Sequence, residues 1–182
     1  MLQQTLLGFD ILLELIMKVF THTNDKLVST ALLVLRIALG AIMFAHGAQK
    51  VLGVWGGMGL DATVKGMSGM LGIPPFMVYL SAYTEFLGGL GILFGVLTRF
   101  FGVTVLINML VAILAVHLKN GFFAPTGFEY PFSLALSALA ITIAGPGAFS
   151  LDNLMFGGRQ SESKITVRTS HIGVGPTAKP AI

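Results

Sequence analysis

Eight side chains in this sequence stand where an apolar chain can do chemistry. Arg36, His46, Gln49 and Lys50 fall in one apolar stretch, Glu85 in a second, His117 near the end of a third, and Glu129 and Asp152 at the two ends of a fourth. His46, Gln49 and Lys50 are three and four apart, so on a helix they share a face. A histidine and a carboxylate that meet in a membrane can exchange protons with the two oxygens of a quinone. Aromatic and methionine side chains can hold its ring and tail, and Phe44, Trp55, Tyr79, Tyr83 and Phe86 are available for those walls. Glu85 and His46 are therefore candidate catalytic groups, with Arg36, Gln49, Lys50, His117 and Glu129 as candidate ligand-binding groups.

Other chemistries are narrower. There is no cysteine, which removes thiolate catalysis, disulfide exchange and every Cys-ligated cofactor together. His46 and His117 at matched depth would permit a bis-His haem. Neither lies near the bilayer centre and no second pair exists, so haem is disfavoured and no metal site is expected. Glu85 as the titrating group of a proton or solute path is a further reading, though four spans are few for a transporter. The non-catalytic alternative is a scaffold that assembles or docks a larger complex. At span ends, snorkelling and capping explain Lys50, Arg99, Glu129 and Asp152 without any reaction, and Arg99, Asp152, Gly91 and Gly95 are read as structural.

The elements that must carry these groups follow from composition. Hydrophobic residues make up 54% and charged residues 10%, where a soluble domain has about a quarter charged. The eleven Lys and Arg are scattered, which argues against a nucleic-acid partner and for topology signals facing the lipid. The expected fold is all-α: a four-helix membrane bundle preceded by an amphipathic interfacial helix. Asp10, Glu14 and Lys18 form a polar stripe four residues apart along Met1–Phe20. The spans are expected over Ser29–Ala48, Pro75–Thr98, Phe100–Leu118 and Tyr130–Leu151, with a short helix after Asp61 stopping at Gly72. Gly91 and Gly95 read as a GxxxG face for close approach by another helix. Three regions result: 1–27, an amphipathic helix and linker; 28–153, the membrane domain; and 154–182, a polar tail.

Four crossings put both termini on one side, where Lys18, Lys26, Arg99, Arg159, Lys164 and Arg168 outnumber Lys50, Lys65 and Lys119 on the other. The expected location is a bacterial cytoplasmic membrane with cytoplasmic termini. Counting 1.5 Å per residue from that side puts Arg36 at about 10 Å, Asn108 at about 12 Å, Glu85 at about 20 Å, and His46 and His117 at about 25 Å. The polar groups split into an inner level, where Arg36 pairs with Asp152, and an outer level around Glu85, with His46, Gln49 and Lys50 as candidate donors to it.

Three stretches carry a resemblance: LRIALGAIMFAHGAQKVLG over Leu35–Gly53, TEFLGGLGILFGVLTR over Thr84–Arg99, and GPGAFSLD over Gly145–Asp152. In combination they make the chain resemble the DoxX family of small four-span bacterial membrane proteins across roughly residues 30 to 153. The family pattern falls on Arg36, His46, Gly47, Lys50, Glu85, Gly88, Gly89, Arg99, Gly145, Gly147 and Asp152. The resemblance implies a four-helix fold and an association with oxidoreductase chemistry: quinone-reducing subunits of thiosulfate oxidation, catechol and quinone detoxification, and oxidative-stress complexes. Distant animal relatives look like chaperones or cargo receptors. The resulting expectation is a quinone-linked subunit of a membrane redox system, with a redox protein as partner and homo-oligomerisation open. The alternative is a non-enzymatic assembly or docking subunit.

Overall fold

The computed structural model describes residues 11–12, 24–123 and 125–156. The expected amphipathic helix lies outside them apart from Ile11 and Leu12, which are helical, and so does the expected tail from residue 157.

Helix α1 spans Asp25–Val51, opened by the Asn24 carboxamide, whose Oδ1 accepts the N–H of Leu27 at 2.9 Å. Its 27 residues rise about 40 Å, more than the roughly 30 Å of a bilayer's hydrocarbon, so Lys50 in the last turn can reach an interface. Helix α2, Leu60–Leu71, starts at Gly59 with no side-chain cap and stops at left-handed Gly72. Asp61, expected as its cap, instead sits within the first turn. Helix α3, Pro75–Phe94, begins with proline at its first position, where the missing N–H costs nothing. Helix α4, Thr98–Ala112, runs into a π-turn over Ile113–His117 and a 3₁₀ turn over Leu118–Asn120. Helix α5 is Glu129–Ala144, and a short helical segment follows over 151–156.

By length and composition, Asp25–Val51, Pro75–Phe94 and Thr98–Asn120 are long and apolar enough to cross a membrane. The fourth span, expected as far as Leu151, is shorter. Gly145 at φ 86° ends α5 after 16 residues, about 24 Å of rise.

Where α3 turns into α4, the break lies at Gly95–Leu97 rather than at Arg99. Gly95 takes φ 71°, and the N–H groups of Gly95 and Val96 fold back onto the Ile92 and Gly91 carbonyls, closing the helix. Leu97 is also left-handed, with φ 47°, a conformation that costs a residue with a Cβ. A distant carboxylate supports it. Asp152 accepts the backbone N–H groups of Leu97 and Thr98 at 2.8 and 2.9 Å and the Thr98 hydroxyl at 2.8 Å, capping α4 from another part of the chain.

Burial alone would raise the Asp152 carboxyl, but the Thr98 and Leu97 donors and, after them, the Arg36 charge outweigh it and hold the carboxyl below its ordinary value. A group depressed in this way contributes stability above the ordinary carboxyl range, and loses it as pH falls through its own lower value. Asp152→Asn is therefore expected to cost about 1 kcal/mol at neutral pH, the typical worth of a helix cap. Wild type and variant should converge in acid. Unfolding in detergent at a series of pH values checks this, and curves that stay parallel into acid would sink the assignment.

The core forms where the four apolar helices meet: Leu39 and Met43 of α1, Ile92 of α3, Val105 and Met109 of α4, and Leu134, Ala135, Ala138 and Ile141 of α5. The outer faces are as apolar as the inner ones. Val34, Leu80, Leu114 and Ile143 are 61–70% exposed. A surface like this would be a large adhesive patch in water, and is what a lipid-facing surface requires.

The closest helix contact is α1 on α3. A Cβ on Gly47 would lie 2.2 Å from the Phe86 nitrogen, and one on Gly89 would lie 2.3 Å from the Phe44 nitrogen. Small residues allow backbones to approach like this. Gly91 and Gly95, expected to form such a face, do not take part in it. Gly91 receives the Phe101 ring and Gly95 receives the Arg36 guanidinium and Ser150, so both are used up inside the subunit.

Candidate functional site

The α1–α3 contact puts Lys50 beside Glu85. Lys50 Nζ lies 2.6 Å from Glu85 Oε1, and Asn108 Nδ2 of α4 donates to the same oxygen at 3.3 Å. Glu85 is 5% exposed, and its other oxygen, Oε2, is buried with no hydrogen-bond partner among the described residues. A charge in a span costs about 2.5–3.5 kcal/mol at the helix centre. The Lys50 ammonium offsets that cost at one oxygen only.

Beside this carboxylate is a cavity of about 710 Å³, within the range of small-molecule sites, which are mostly apolar with a few convergent polar groups. Met43, Met67, Met77 and Met109 supply adaptable walls, while His46, Lys50, Glu85, Asn108, His117 and Tyr130 supply its main polar atoms. Helix α2 contributes Met67 and Leu71, so the connection between α1 and α3 forms part of the cavity wall. The π-turn contributes Ala115, Val116 and His117. An i→i+5 turn inserts one residue into the helix and re-aims those after it, a device frequent at functional sites.

Each expected site residue has a definite place. His46 is exposed and lines the cavity, with its Nε2 3.4 Å from the Tyr130 hydroxyl and the two rings edge to face. His117 lines it too, with Nδ1 3.0 Å from the Thr126 carbonyl. Of the three donors considered for Glu85, Lys50 is the one that reaches it. Gln49 instead donates to the Trp55 carbonyl at 3.1 Å and is not in the cavity wall. Glu129 stands in the first turn of α5, also outside the wall. Among the described residues, no group of three or more His, Asp or Glu is placed to hold a metal ion.

Arg36 belongs to another network. It is 1% exposed and donates from Nε to Ile92 O at 3.0 Å, from Nη1 to Pro146 O and Phe149 O at 2.8 and 2.7 Å, and from Nη2 to Leu93 O at 3.2 Å. The expected Arg36–Asp152 ion pair is replaced by four carbonyls. Asp152 acts on Arg36 through its charge, while its own oxygens are spent on the start of α4. Arg36 therefore takes no part in the cavity, contrary to the ligand-binding role expected for it. Arg99 is exposed, with its guanidinium against Gly145.

Asn108 and Tyr130 complete the site and were not singled out from sequence. The signal for Asn108 was present, as an amide alone in an apolar span. With spans ending at Thr98 and starting at Phe100, Asn108 falls at a different depth from Glu85. With the observed boundaries, Glu85 and Asn108 lie about 14 and 15 Å from the helix ends at the α3–α4 turn, one level.

The DoxX family model matches residues 31–118, the stretch that carries His46, Lys50, Glu85, Asn108 and His117. A Bacillus subtilis (strain 168) protein named "Putative oxidoreductase CatD" is 33% identical over 129 residues, covering 71% of this chain and 90% of that relative. The chain belongs to the DoxX family. Escherichia coli (strain K12) "Inner membrane protein YqjF" is 35% identical over 134 residues, covering 71% of this chain and 95% of the relative. No solved structure matches. As a DoxX-family membrane protein, the chain sets its apolar outer surface around the one ion pair found among the described residues, in which Glu85 is buried and Lys50 is partly exposed.

Proposed function

We propose that this DoxX-family protein is a quinone-binding subunit of a membrane redox system, with the ligand held in the cavity beside Glu85. The observation that carries the reading is a buried Glu85, ion-paired at Oε1 only, in the wall of a largely apolar cavity of about 710 Å³. A buried acceptor without a partner costs about 1–3 kcal/mol or more, a cost tolerated more often at binding sites than in packing. A bound quinone supplies two-electron, two-proton chemistry. Glu85 is the group that accepts a proton or hydrogen bond at the ring, Lys50 and Asn108 fix its orientation through Oε1, and the methionine walls take the tail. His46 and Tyr130, at the exposed edge, connect the site to water.

The oxidoreductase name of the Bacillus relative supports a redox setting. In this reading electrons come from a protein partner, since the chain has no thiol to supply them. The reading also takes α5 as a fourth crossing and places both termini in the cytoplasm, on the excess of Lys and Arg at that end.

The test is direct binding. Protein in lipid nanodiscs is expected to bind a decyl-substituted benzoquinone couple saturably, in at least one redox form. Thr84→Trp, which places a large ring in the cavity wall, should abolish that binding while leaving the helical signal intact. Absence of saturable binding in both redox forms, or binding indifferent to Thr84→Trp, would falsify the reading.

A further inference from the structure

The cavity has two unlike sides. The four long helices pack in a ring, α1 on α3, α3 on α4, α4 on α5 and α5 back on α1, so the α3–α4 seam lies across the bundle from the α1–α5 seam. At the α1–α5 seam the wall is polar, because His46 and Tyr130 meet there at 3.4 Å. At the α3–α4 seam it is apolar. Leu80, Ile107 and Val111 line the cavity there and are also 66%, 55% and 39% exposed. Side chains that do both stand at a mouth.

The α3–α4 seam is closed on one side of Glu85 and open on the other. Toward the turn, Gly88 receives Val105 and Gly91 receives the Phe101 ring. Beyond the Asn108–Glu85 contact, Ser81 of α3 and Ala112 of α4 line the cavity, and side chains this small leave the space between the helices unfilled. Exposed Arg99 marks the turn as headgroup level. Ile107, Val111 and Leu80 lie about 14, 20 and 21 Å from the helix ends at that turn, within the roughly 30 Å of a bilayer's hydrocarbon. The mouth therefore faces lipid rather than water. We infer that the site takes its ligand laterally from the bilayer through the α3–α4 gap. The ligand is then a membrane-dissolved amphiphile whose head lies toward His46 and Tyr130 and whose alkyl or isoprenoid tail leaves between Leu80 and Ile107.

The inference rests on the quinone-site reading and adds to it the route and the tail. The experiment uses protein in lipid nanodiscs and decyl-benzoquinone carrying a diazirine midway along its chain, with adducts mapped by mass spectrometry and unlabelled decyl-benzoquinone as competitor. Competed adducts are expected on α3 and α4, at or next to Leu80, Ile107 and Val111. Ile107→Trp, which puts an indole in the gap, is expected to weaken binding of decyl-benzoquinone at least tenfold. Leu114→Trp, on the same helix, 70% exposed and outside the cavity wall, should bind as wild type does. Saturable binding with competed adducts at His46, Tyr130 or α2 and none on α3 or α4 would overturn the lateral route and leave a quinone site standing, and so would equal affinities of the two tryptophan variants. The labelling needs no variant, so it decides even if Ile107→Trp does not fold. Absence of saturable binding altogether removes the underlying site instead.

Discussion

Replacing Arg36 with leucine is expected to prevent the protein from being recovered folded. The substitution looks benign on hydropathy, since it removes a charge from a span and would ease insertion by about 3 kcal/mol. What it leaves behind is worse. The guanidinium satisfies the carbonyls of Ile92 and Leu93 at the end of α3 and those of Pro146 and Phe149 in the loop after α5. Helix C-termini expose carbonyls with no partner in their own helix, and buried ones cost about 1–3 kcal/mol each when left bare. Four of them amount to at least about 4 kcal/mol, which a marginally stable protein cannot spare. Arg36→Lys should fail nearly as badly, because one ammonium at the end of a flexible stem cannot reproduce a planar fork spread over two segments. Size-exclusion profiles and thermal melts in mild detergent are the readout. A monodisperse Arg36→Leu protein melting within a few degrees of wild type would contradict this account.

The second large effect is expected at Gly47. Its Cβ would sit 2.2 Å from the Phe86 nitrogen and 2.7 Å from the Glu85 carbonyl carbon, and both are backbone atoms that no rotamer change can move. Gly47→Ala must therefore push α1 and α3 apart at the level of the Lys50–Glu85 pair. Overpacking of this kind costs about 1–3 kcal/mol, occasionally more, and even a small displacement lengthens a contact now at 2.6 Å. Stability and ligand binding should fall together. Gly66→Ala is the control: nothing lies within 4 Å of its Cβ, and alanine inside helix α2 should stabilise by about 0.5–1 kcal/mol. If Gly47→Ala tracked Gly66→Ala in melting temperature and in binding of the benzoquinone couple, the close α1–α3 approach would not be what sets the site.

The two variants act on two separate networks, and the sequence already hinted at the separation. Counting along the spans puts Arg36 and Glu85 at different depths, and the structure places them in different sets of contacts. Their partners were less legible. From sequence the partner expected for Arg36 is a carboxylate, because carboxylates are visible as residue types. The actual acceptors are main-chain carbonyls, which every residue carries and which matter only where a helix happens to end. For Glu85, three donors shared one face of α1, and only the approach of α1 to α3 shows that Lys50 reaches it while Gln49 turns to Trp55.

The glycines illustrate the same division. GxxxG spacing at Gly91 and Gly95 suggested a helix-packing face, yet Phe101 fills one position and Arg36 the other, while Gly40, Gly47 and Gly89 carry the close approach. Spacing says that a backbone can be approached, but not by what.

The amino-acid sequence by itself determined that the chain is an all-α membrane protein with its charges confined to a few levels, because hydropathy and helix period are local properties. It also determined which side chains are expensive to bury. The tertiary structure alone decided that Lys50 and Asn108 converge on one oxygen of Glu85, leave the other without a partner among the described residues, and set the residue in a cavity wall. Which lone pairs are filled depends on helix ends and interhelical distances of an ångström or two. Those distances are set by contacts between residues 23 to 35 positions apart, beyond the reach of any local pattern.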